Sequence, residues 1–337
     1  MFLACLFLVA RNEKVLFADT DLSVTQFIEE ASIAWNNLAD AYYEGLSMKM
    51  IFTTKESTLK ADVCLLGKNE LGLVYPTKDR RGMFELDVIN PQYAFKLDKN
   101  AEETPWNLVN MWDNPNMAKE STQFNHGLLQ PTAYIFEPIM IESSWLKDLM
   151  KSKEIEVISL KEQHLGDEIY VEMQFRCQQY NVDKYVKLLD GTILFNKKYY
   201  FVIKEYNVQT EFVAEGMLLK NGEKNSGSIV SKVEKKLEYQ ETNGIPYLKT
   251  SRTTHNVIKS TLKVDMFHLL DNNFMNIDYE IINSNKVNNE LFRLTHYGFS
   301  EPSNPVRRTN VVRIVLIVTG VLLIITGLYF RYRASKI

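Results

Sequence analysis

Runs in which apolar and polar residues alternate recur through most of this 337-residue chain and limit what it can fold into. The pattern is clear at residues 59–65, 84–88 and 169–175. Because successive side chains of a strand point to opposite faces, each run predicts a strand with one buried face and one wet face. No stretch alternates a strand with a long helix, which excludes doubly wound and TIM-type enzyme folds. The chain is therefore predicted to be mainly β (α+β), with an antiparallel sheet.

Turn residues between the apolar runs indicate how neighbouring strands are joined. Asp190-Gly191 lies between VKLL and TILF, and Asn243-Gly244 lies between KLEYQET and IPYLKTS. Each dipeptide is typical of a two-residue hairpin. We therefore expect an antiparallel hairpin at each of these two places.

An amphipathic helix is predicted over residues 23–44, ahead of the strands. Its apolar residues recur at spacings of three and four, as on one face of a helix. Ser23 and Gln26 fit a capping box at its start, and Gly45 supplies a left-handed stop at its end. This helix is expected to pack on the sheet.

Two apolar stretches near the ends of the chain indicate a membrane location. Residues 314–330, IVLIVTGVLLIITGLYF, carry no charge and match a hydrocarbon core of roughly 30 Å, which predicts a transmembrane helix in preference to a buried core helix. Residues 1–10, MFLACLFLVA, are too short to span a bilayer and have the length of a signal-peptide core. We predict a signal peptide over 1–18, with a short element packed on the domain as the alternative.

These ends divide the rest of the chain into parts. Residues 19–300 are predicted to form one β domain outside the cytoplasm. A Pro-containing linker is predicted over 301–313, before the transmembrane helix, and residues 331–337 form a basic cytoplasmic tail. The chain is thus expected to cross the membrane once.

Charge and motifs exclude several classes of function. The formal net charge is −3, and residues 307–337 hold six basic residues and no acidic one, so the body is acidic and nucleic-acid binding is not expected. The five histidines lack paired metal spacing, and no nucleophile elbow, P-loop or dinucleotide motif occurs. We predict no cofactor, no metal and no enzymatic activity. Whether Cys64 and Cys177 form a disulfide stays open.

The order of the predicted elements, together with two late motifs, resembles a known family. LEYQETNGIPYLKTSRTTHNVIKSTLKVDMF, residues 237–267, follows a helix, a long meander and an embedded helical section. This arrangement resembles the outer-membrane lipoprotein-sorting family, which includes the lipoprotein carriers and related sensor domains. LTHYGFSEP, residues 294–302, before a linker and an apolar run, looks like the ending of uncharacterised membrane-anchored bacterial proteins with such domains.

The resemblance implies a curved half-barrel sheet covered by helices, with an apolar concave face able to hold acyl chains. It places the domain on the periplasmic side of a bacterial cell membrane, as a tethered binding protein for a lipid or a lipoprotein acyl chain. The alternative is a non-catalytic envelope sensor or protein-interaction scaffold whose core is filled by its own side chains. An envelope protein is the partner that this alternative implies.

Candidate ligand-lining residues come from the alternating runs and from an aromatic, Met-rich insertion over 102–150. Alternation indicates only that one face of each strand is buried; contact with a ligand is what the resemblance implies. An insertion of this kind is more often a core plug than a lid. The candidates are the inward positions Phe84, Leu86, Val88, Ile169, Val171, Met173 and Phe175, with Met140 and Trp145 as cover.

Overall fold

The computed structural model describes residues 23–76, 82–120, 131–142, 144–166, 168–182, 185–214, 227–262, 273–283 and 287–302. The helices are α1 (Val24–Tyr43), α2 (Pro115–Glu120), α3 (Pro131–Ile135) and α4 (Leu146–Leu149), with short 3-10 helices at Glu137–Ile139, Asn289–Phe292 and Leu294–Tyr297. The strands are β1 (Leu46–Thr54), β2 (Thr58–Leu66), β3 (Asn69–Val74), β4 (Phe84–Ile89), β5 (Ala94–Lys99), β6 (Asn107–Trp112), β7 (Met140–Ile141), β8 (Ser144–Trp145), β9 (Ile155–Leu165), β10 (Glu168–Asn181), β11 (Val186–Asn196), β12 (Val202–Val213), β13 (Ser228–Thr242), β14 (Ile245–Ser260) and β15 (Asn273–Asn283).

Thirteen of these strands form one antiparallel sheet. Their order is β6-β5-β4-β3-β2-β1-β15-β14-β13-β12-β11-β10-β9, and β7 and β8 form a separate pair. Two meanders, β1 to β6 and β9 to β15, therefore meet where β1 pairs with β15. The chain is mainly β, with few helices.

The helix α1 lies where the sequence predicts it and packs on the sheet. The Ser23 side chain caps its first turn, accepting a hydrogen bond from the Gln26 backbone N–H at 3.5 Å. Its buried residues follow the expected spacing and are Phe27, Ala31, Trp35, Leu38 and Tyr42. Trp35 Nε1 donates to the carbonyl oxygen of Phe201 at 2.9 Å, which ties the helix to the turn before β12. The predicted amphipathic helix is confirmed.

The two predicted hairpin turns have different outcomes. Asn243 and Gly244, with φ of 55° and 78°, connect β13 to β14 as predicted. Gly191 instead lies inside β11, which continues to Asn196. A Cβ on Gly191 would stand 2.5 Å from the carbonyl oxygen of Asn207, so this glycine permits close approach of β12. The prediction of a turn at Asp190-Gly191 is wrong because the glycine serves packing.

The predicted fold class needs a correction at the membrane segment. Residues 1–18, 314–330 and 331–337 lie outside the described residues. Within the described ranges, no helix is long and apolar enough to cross a membrane. The transmembrane helix is therefore not supported and is removed from the fold class. Among the described residues α1 is the one long helix on the sheet, and the other elements that cover it are short.

Candidate functional site

The strand register separates two faces of the sheet. Val63 on β2 pairs with Gly72 on β3, and Gly72 pairs with Asp87 on β4, so these residues share one face. This first face carries the main core, which includes Val63 and packs against α1. The second face carries Val88 and packs against residues 287–302.

The predicted ligand-lining residues fall on both faces and do not line one surface. Val171, Met173 and Phe175 are fully buried on the first face, in the main core. Leu86 and Val88 are equally buried but lie on the second face. The remaining two strand residues, half-buried, are Ile169 on the first face and Phe84 on the second.

The predicted cover residues do lie over the first face. Residues 131–150, apart from 143, form short elements that we call the cover segment. Met140 and Trp145 are half-buried there and pack against the main core. Trp145 contacts Phe136 with ring centroids 5.1 Å apart. Several cover residues are buried against the sheet and α1, so this segment closes the first face.

An ion pair joins the cover segment to the centre of the sheet. Glu137, in the cover segment, accepts a hydrogen bond from Lys235 Nζ on β13 at 2.6 Å. The two side chains are only 8% and 10% exposed. Lys235 lies on the first face, because Val233 and Leu237 on either side of it belong to the main core. A charged pair is thus enclosed between the cover segment and the main core.

Two tyrosines add hydrogen bonds to the cover segment. Tyr279 on β15 donates to Glu137 Oε2 at 3.2 Å, and Tyr206 on β12 donates to Glu142 Oε1 at 2.7 Å. Burial raises the pKa of both tyrosines well above the usual value, and the neighbouring carboxylates raise the pKa further. Both hydroxyls therefore remain donors. We call Glu137, Glu142, Tyr206, Lys235 and Tyr279 the polar cluster.

Neighbouring hydroxyls and one imidazole extend the polar cluster along β14. Thr253 is the cross-strand partner of Lys235, and Ser251 lies two residues away on the same face. Both are buried, at 3% and 0% exposure, and their hydroxyl oxygens have no hydrogen-bond partner among the residues that the structure describes. Burial lowers the pKa of His255, with Lys235 adding to the effect and Glu142 opposing it. The surroundings of Lys235 are rich in groups that can donate hydrogen bonds.

The chemistry of this arrangement is carboxylate binding. An ammonium and a tyrosine hydroxyl donate to the two carboxylate oxygens at 2.6 Å and 3.2 Å, so the carboxylate receives two charge-assisted hydrogen bonds. Within the described ranges, no group of three His, Cys, Asp or Glu residues could hold a metal ion. The carboxylate bound in this structure is that of Glu137.

Sequence reasoning missed the polar cluster, although β13 contains one signal for it. In β13, SIVSKVEKKLEYQET, the alternate residues that face the main core are Ile229, Ser231, Val233, Lys235 and Leu237. A lysine between two inward apolar residues departs from the alternation and indicates a buried charge that needs a partner. The partner lies 98 residues earlier in the chain, so its identity required the fold.

The two cysteines of the described residues are free and lie on opposite faces. Cys64 belongs to the second-face cluster and Cys177 to the main core, so they do not form a disulfide. Burial raises the pKa of Cys177 to about 12, helped by Asp190 and Glu154. Burial also raises the pKa of Cys64. Neither thiol has the lowered pKa of a reactive nucleophile.

A separate pocket of about 500 Å³ lies at the second-face side, next to residues 287–302. Its lining includes Asn69, Asn90 and Asn289. Asn90 Nδ2 donates to the carbonyl oxygen of Phe292 at 3.0 Å, and Asn69 donates to Asn289. The amides of this pocket therefore hold the 287–302 segment on the sheet. None of the nine predicted ligand-lining residues borders it.

Comparison with known proteins gives distant likeness only. No protein-family model matches the chain, and no curated protein matches its sequence. One similar solved structure is a DUF1329 family protein from Desulfovibrio piger ATCC 29098, with a TM-score of 0.38 and 10% identity over 80% of this chain and 98% of that chain. Another is described as a "putative outer membrane lipoprotein-sorting protein domain" from Vibrio parahaemolyticus, with a TM-score of 0.39 and 10% identity over 82% of this chain and 100% of that chain.

The second of these structures is named after the family that the sequence resembles. At 10% identity and these TM-scores, neither structure establishes the family of this chain. Function is therefore argued below from the chain's own residues.

Proposed function

We propose that this chain is a non-catalytic binding protein that takes an acyl-chain ligand between the first face of the sheet and the cover segment. The proposal rests on one observation: the short elements of the cover segment close the first face of the sheet and are held there by hydrogen bonds of the polar cluster. A location in the bacterial envelope, expected from the sequence, is part of the proposal. A membrane anchor is not.

The helix α1 and the cover segment, which both lie over the first face, differ in the stability of their secondary structure. The helix α1 has 20 residues and buries a continuous apolar stripe. The cover segment contains helices of five and four residues and two-residue strands. Helices this short have little stability of their own and depend on tertiary contacts. The cover segment is thus the part that can move while α1 and the sheet stay in place.

A matched pair of tyrosine substitutions tests this proposal. Tyr206→Phe removes one hydrogen bond between the sheet and Glu142 of the cover segment. Tyr170→Phe removes a hydroxyl that bonds Glu168, on the same strand and away from the cover segment. A hydrogen bond to a charged group contributes about 1.5 kcal/mol or more, so Tyr206→Phe should speed uptake of a fluorescent fatty acid about tenfold. Tyr170→Phe should leave the rate unchanged.

The measurement is stopped-flow fluorescence on the full chain, with lipid extraction and mass spectrometry of the purified protein. Uptake by the wild type, faster in Tyr206→Phe alone, supports the proposal. Equal rates in all three proteins would mean that the cover segment does not control access. Absence of uptake, together with no copurifying lipid, would refute ligand binding on this face.

An interaction scaffold is the second candidate function. It is favoured by the filling of the first face with the chain's own side chains, among them Phe27, Trp35 and Phe136. A scaffold needs no movement of the cover segment. The uptake experiment separates the two candidates, because a scaffold takes up no fatty acid in any of the three proteins.

A further inference from the structure

The position of Glu137 points to the chemical class of the ligand. Glu137 belongs to the cover segment, whereas the groups that bind its carboxylate, Lys235 and Tyr279, belong to the sheet. If the cover segment moves, Glu137 leaves with it and the sheet keeps the ammonium and the hydroxyl. The sheet then has a carboxylate receptor without its carboxylate.

Two unpartnered hydroxyls show that the receptor has capacity beyond what Glu137 uses. Thr253 and Ser251 lie on the same face of β14, are almost completely buried, and have no hydrogen-bond partner within the described part of the chain. Buried hydroxyls without partners carry a free-energy penalty that a bound polar group would remove. Thr253 lies directly across from Lys235. A ligand head group placed against Lys235 would therefore find further donors beside it.

The surroundings of the receptor suit an amphiphile. Beyond Lys235, β13 continues with Val233 on one side and Leu237 on the other, both in the main core. On β13 the residues next to Lys235 on this face are therefore apolar. A carboxylate at Lys235 would thus be joined to a chain lying on apolar surface.

We propose that Lys235, with Tyr279, Thr253 and Ser251, forms a site for the carboxylate of a fatty-acid-like ligand, and that Glu137 occupies this site when the cover segment is closed. The inference rests on the proposed function and narrows it from acyl chains in general to anionic, carboxylate-bearing ones. Ligand and Glu137 then compete for the same ammonium. Binding of the ligand requires displacement of the cover segment.

The test compares a fluorescent fatty acid with the fluorescent alcohol of the same chain length. Fluorescence titration of the full chain gives both dissociation constants, and their ratio is the readout. The wild type should bind the acid about tenfold more tightly than the alcohol, because charge-assisted hydrogen bonds are stronger than neutral ones. Lys235→Met should abolish this preference. Lys236→Met is the matched control, because Lys236 lies on the opposite face and is 75% exposed.

Glu137→Gln provides an independent arm of the test. It removes the internal competitor, so acid affinity should rise about tenfold and rise more than alcohol affinity. The double variant Glu137→Leu/Lys235→Met covers the case in which Lys235→Met does not fold, because replacing both charges leaves no unpaired buried charge. The double variant should bind acid and alcohol equally.

The outcomes separate this inference from the proposed function. An acid preference that is lost in Lys235→Met and kept in Lys236→Met supports the site. Binding of acid and alcohol with the same preference in the wild type and in the Lys235 variants would overturn the carboxylate site but leave acyl-chain binding intact. Binding of neither ligand by any protein would overturn both.

Discussion

Breaking the buried ion pair should destabilise the chain more than any surface substitution. Lys235 and Glu137 are 2.6 Å apart with 10% and 8% of their side chains exposed. Lys235→Met would leave the Glu137 carboxylate enclosed without its ammonium partner, although Tyr279 would still donate a hydrogen bond to it. Removing one partner of a buried pair typically costs about 3–5 kcal/mol in the free energy of unfolding. We expect Lys235→Met to fall in that range.

A double-mutant cycle measures the coupling between Glu137 and Lys235 directly. Glu137→Leu alone leaves the Lys235 ammonium unpaired, and its cost should be similar. The double variant Glu137→Leu/Lys235→Met contains no buried charge at this position, and its cost should be about 0–2 kcal/mol, because apolar replacement of a buried pair is often close to neutral. The two single costs together then exceed the double cost by several kcal/mol.

Urea unfolding followed by tryptophan fluorescence measures these costs, because the chain contains four tryptophans. The midpoint should move while the slope with denaturant stays the same. Lys236→Met, whose ammonium is exposed and 3.9 Å from Glu205, serves as the control and should change stability by less than about 0.5 kcal/mol. A cost below about 1 kcal/mol for Lys235→Met, or additive single costs, would show that the pair is not enclosed as the structure has it.

Three further predictions concern other parts of the fold. In the folded chain the pKa of His255 is lowered from 6.5, so the free energy of unfolding falls as the pH drops below 6.5. His255→Gln should reduce the loss of unfolding free energy measured between pH 7.5 and 5.5. An unchanged pH profile would count against this prediction. Gly191→Ala should destabilise the chain by about 1–3 kcal/mol in urea unfolding, because the added methyl would lie closer than 3 Å to backbone atoms of β12. An unchanged stability would contradict the register of β11 and β12. Cys64 and Cys177 should not react with a thiol reagent at pH 8 in the folded chain and should react after unfolding, because both thiols are buried and have raised pKa values. Peptide mass spectrometry detects the labelling, and labelling of either thiol in the folded chain would contradict its burial.

Local features of the fold could be predicted from the sequence because they depend on neighbouring residues. The spacing of Phe27, Ala31 and Trp35 defines α1, and Asn243-Gly244 has the chemistry of its turn. The turn predicted at Asp190-Gly191 was wrong, because glycine occurs both in turns and where two strands pack closely. The distinction depends on β12, which is distant in the sequence.

The candidate site could be predicted less well, because alternation identifies a buried face without saying which face of the sheet it is. Leu86 and Val88 alternate as regularly as Val171 and Met173, yet the two pairs lie on opposite faces. Only the pairing of β2, β3 and β4 decides this, and pairing is a property of the whole sheet. Alternation alone therefore does not place these residues on one concave surface, and their contact with a ligand stays a prediction.

One half of the sheet is buried on both faces, which explains why alternation does not distinguish the two faces there. In β2, Val63, Cys64 and Leu65 are consecutive and all buried, so alternation weakens where the sheet is covered on both sides. The first face is covered there by the cover segment and α1, and the second by residues 287–302, whose Leu294 backbone N–H donates to Tyr93 Oη at 3.2 Å. Strands β12 to β14 have no such second cover among the described residues, and most of their outward-facing residues are polar. The buried Lys235 departs from this alternation and therefore points to the polar cluster, whereas the consecutive apolar run in β2 reflects a second covering layer.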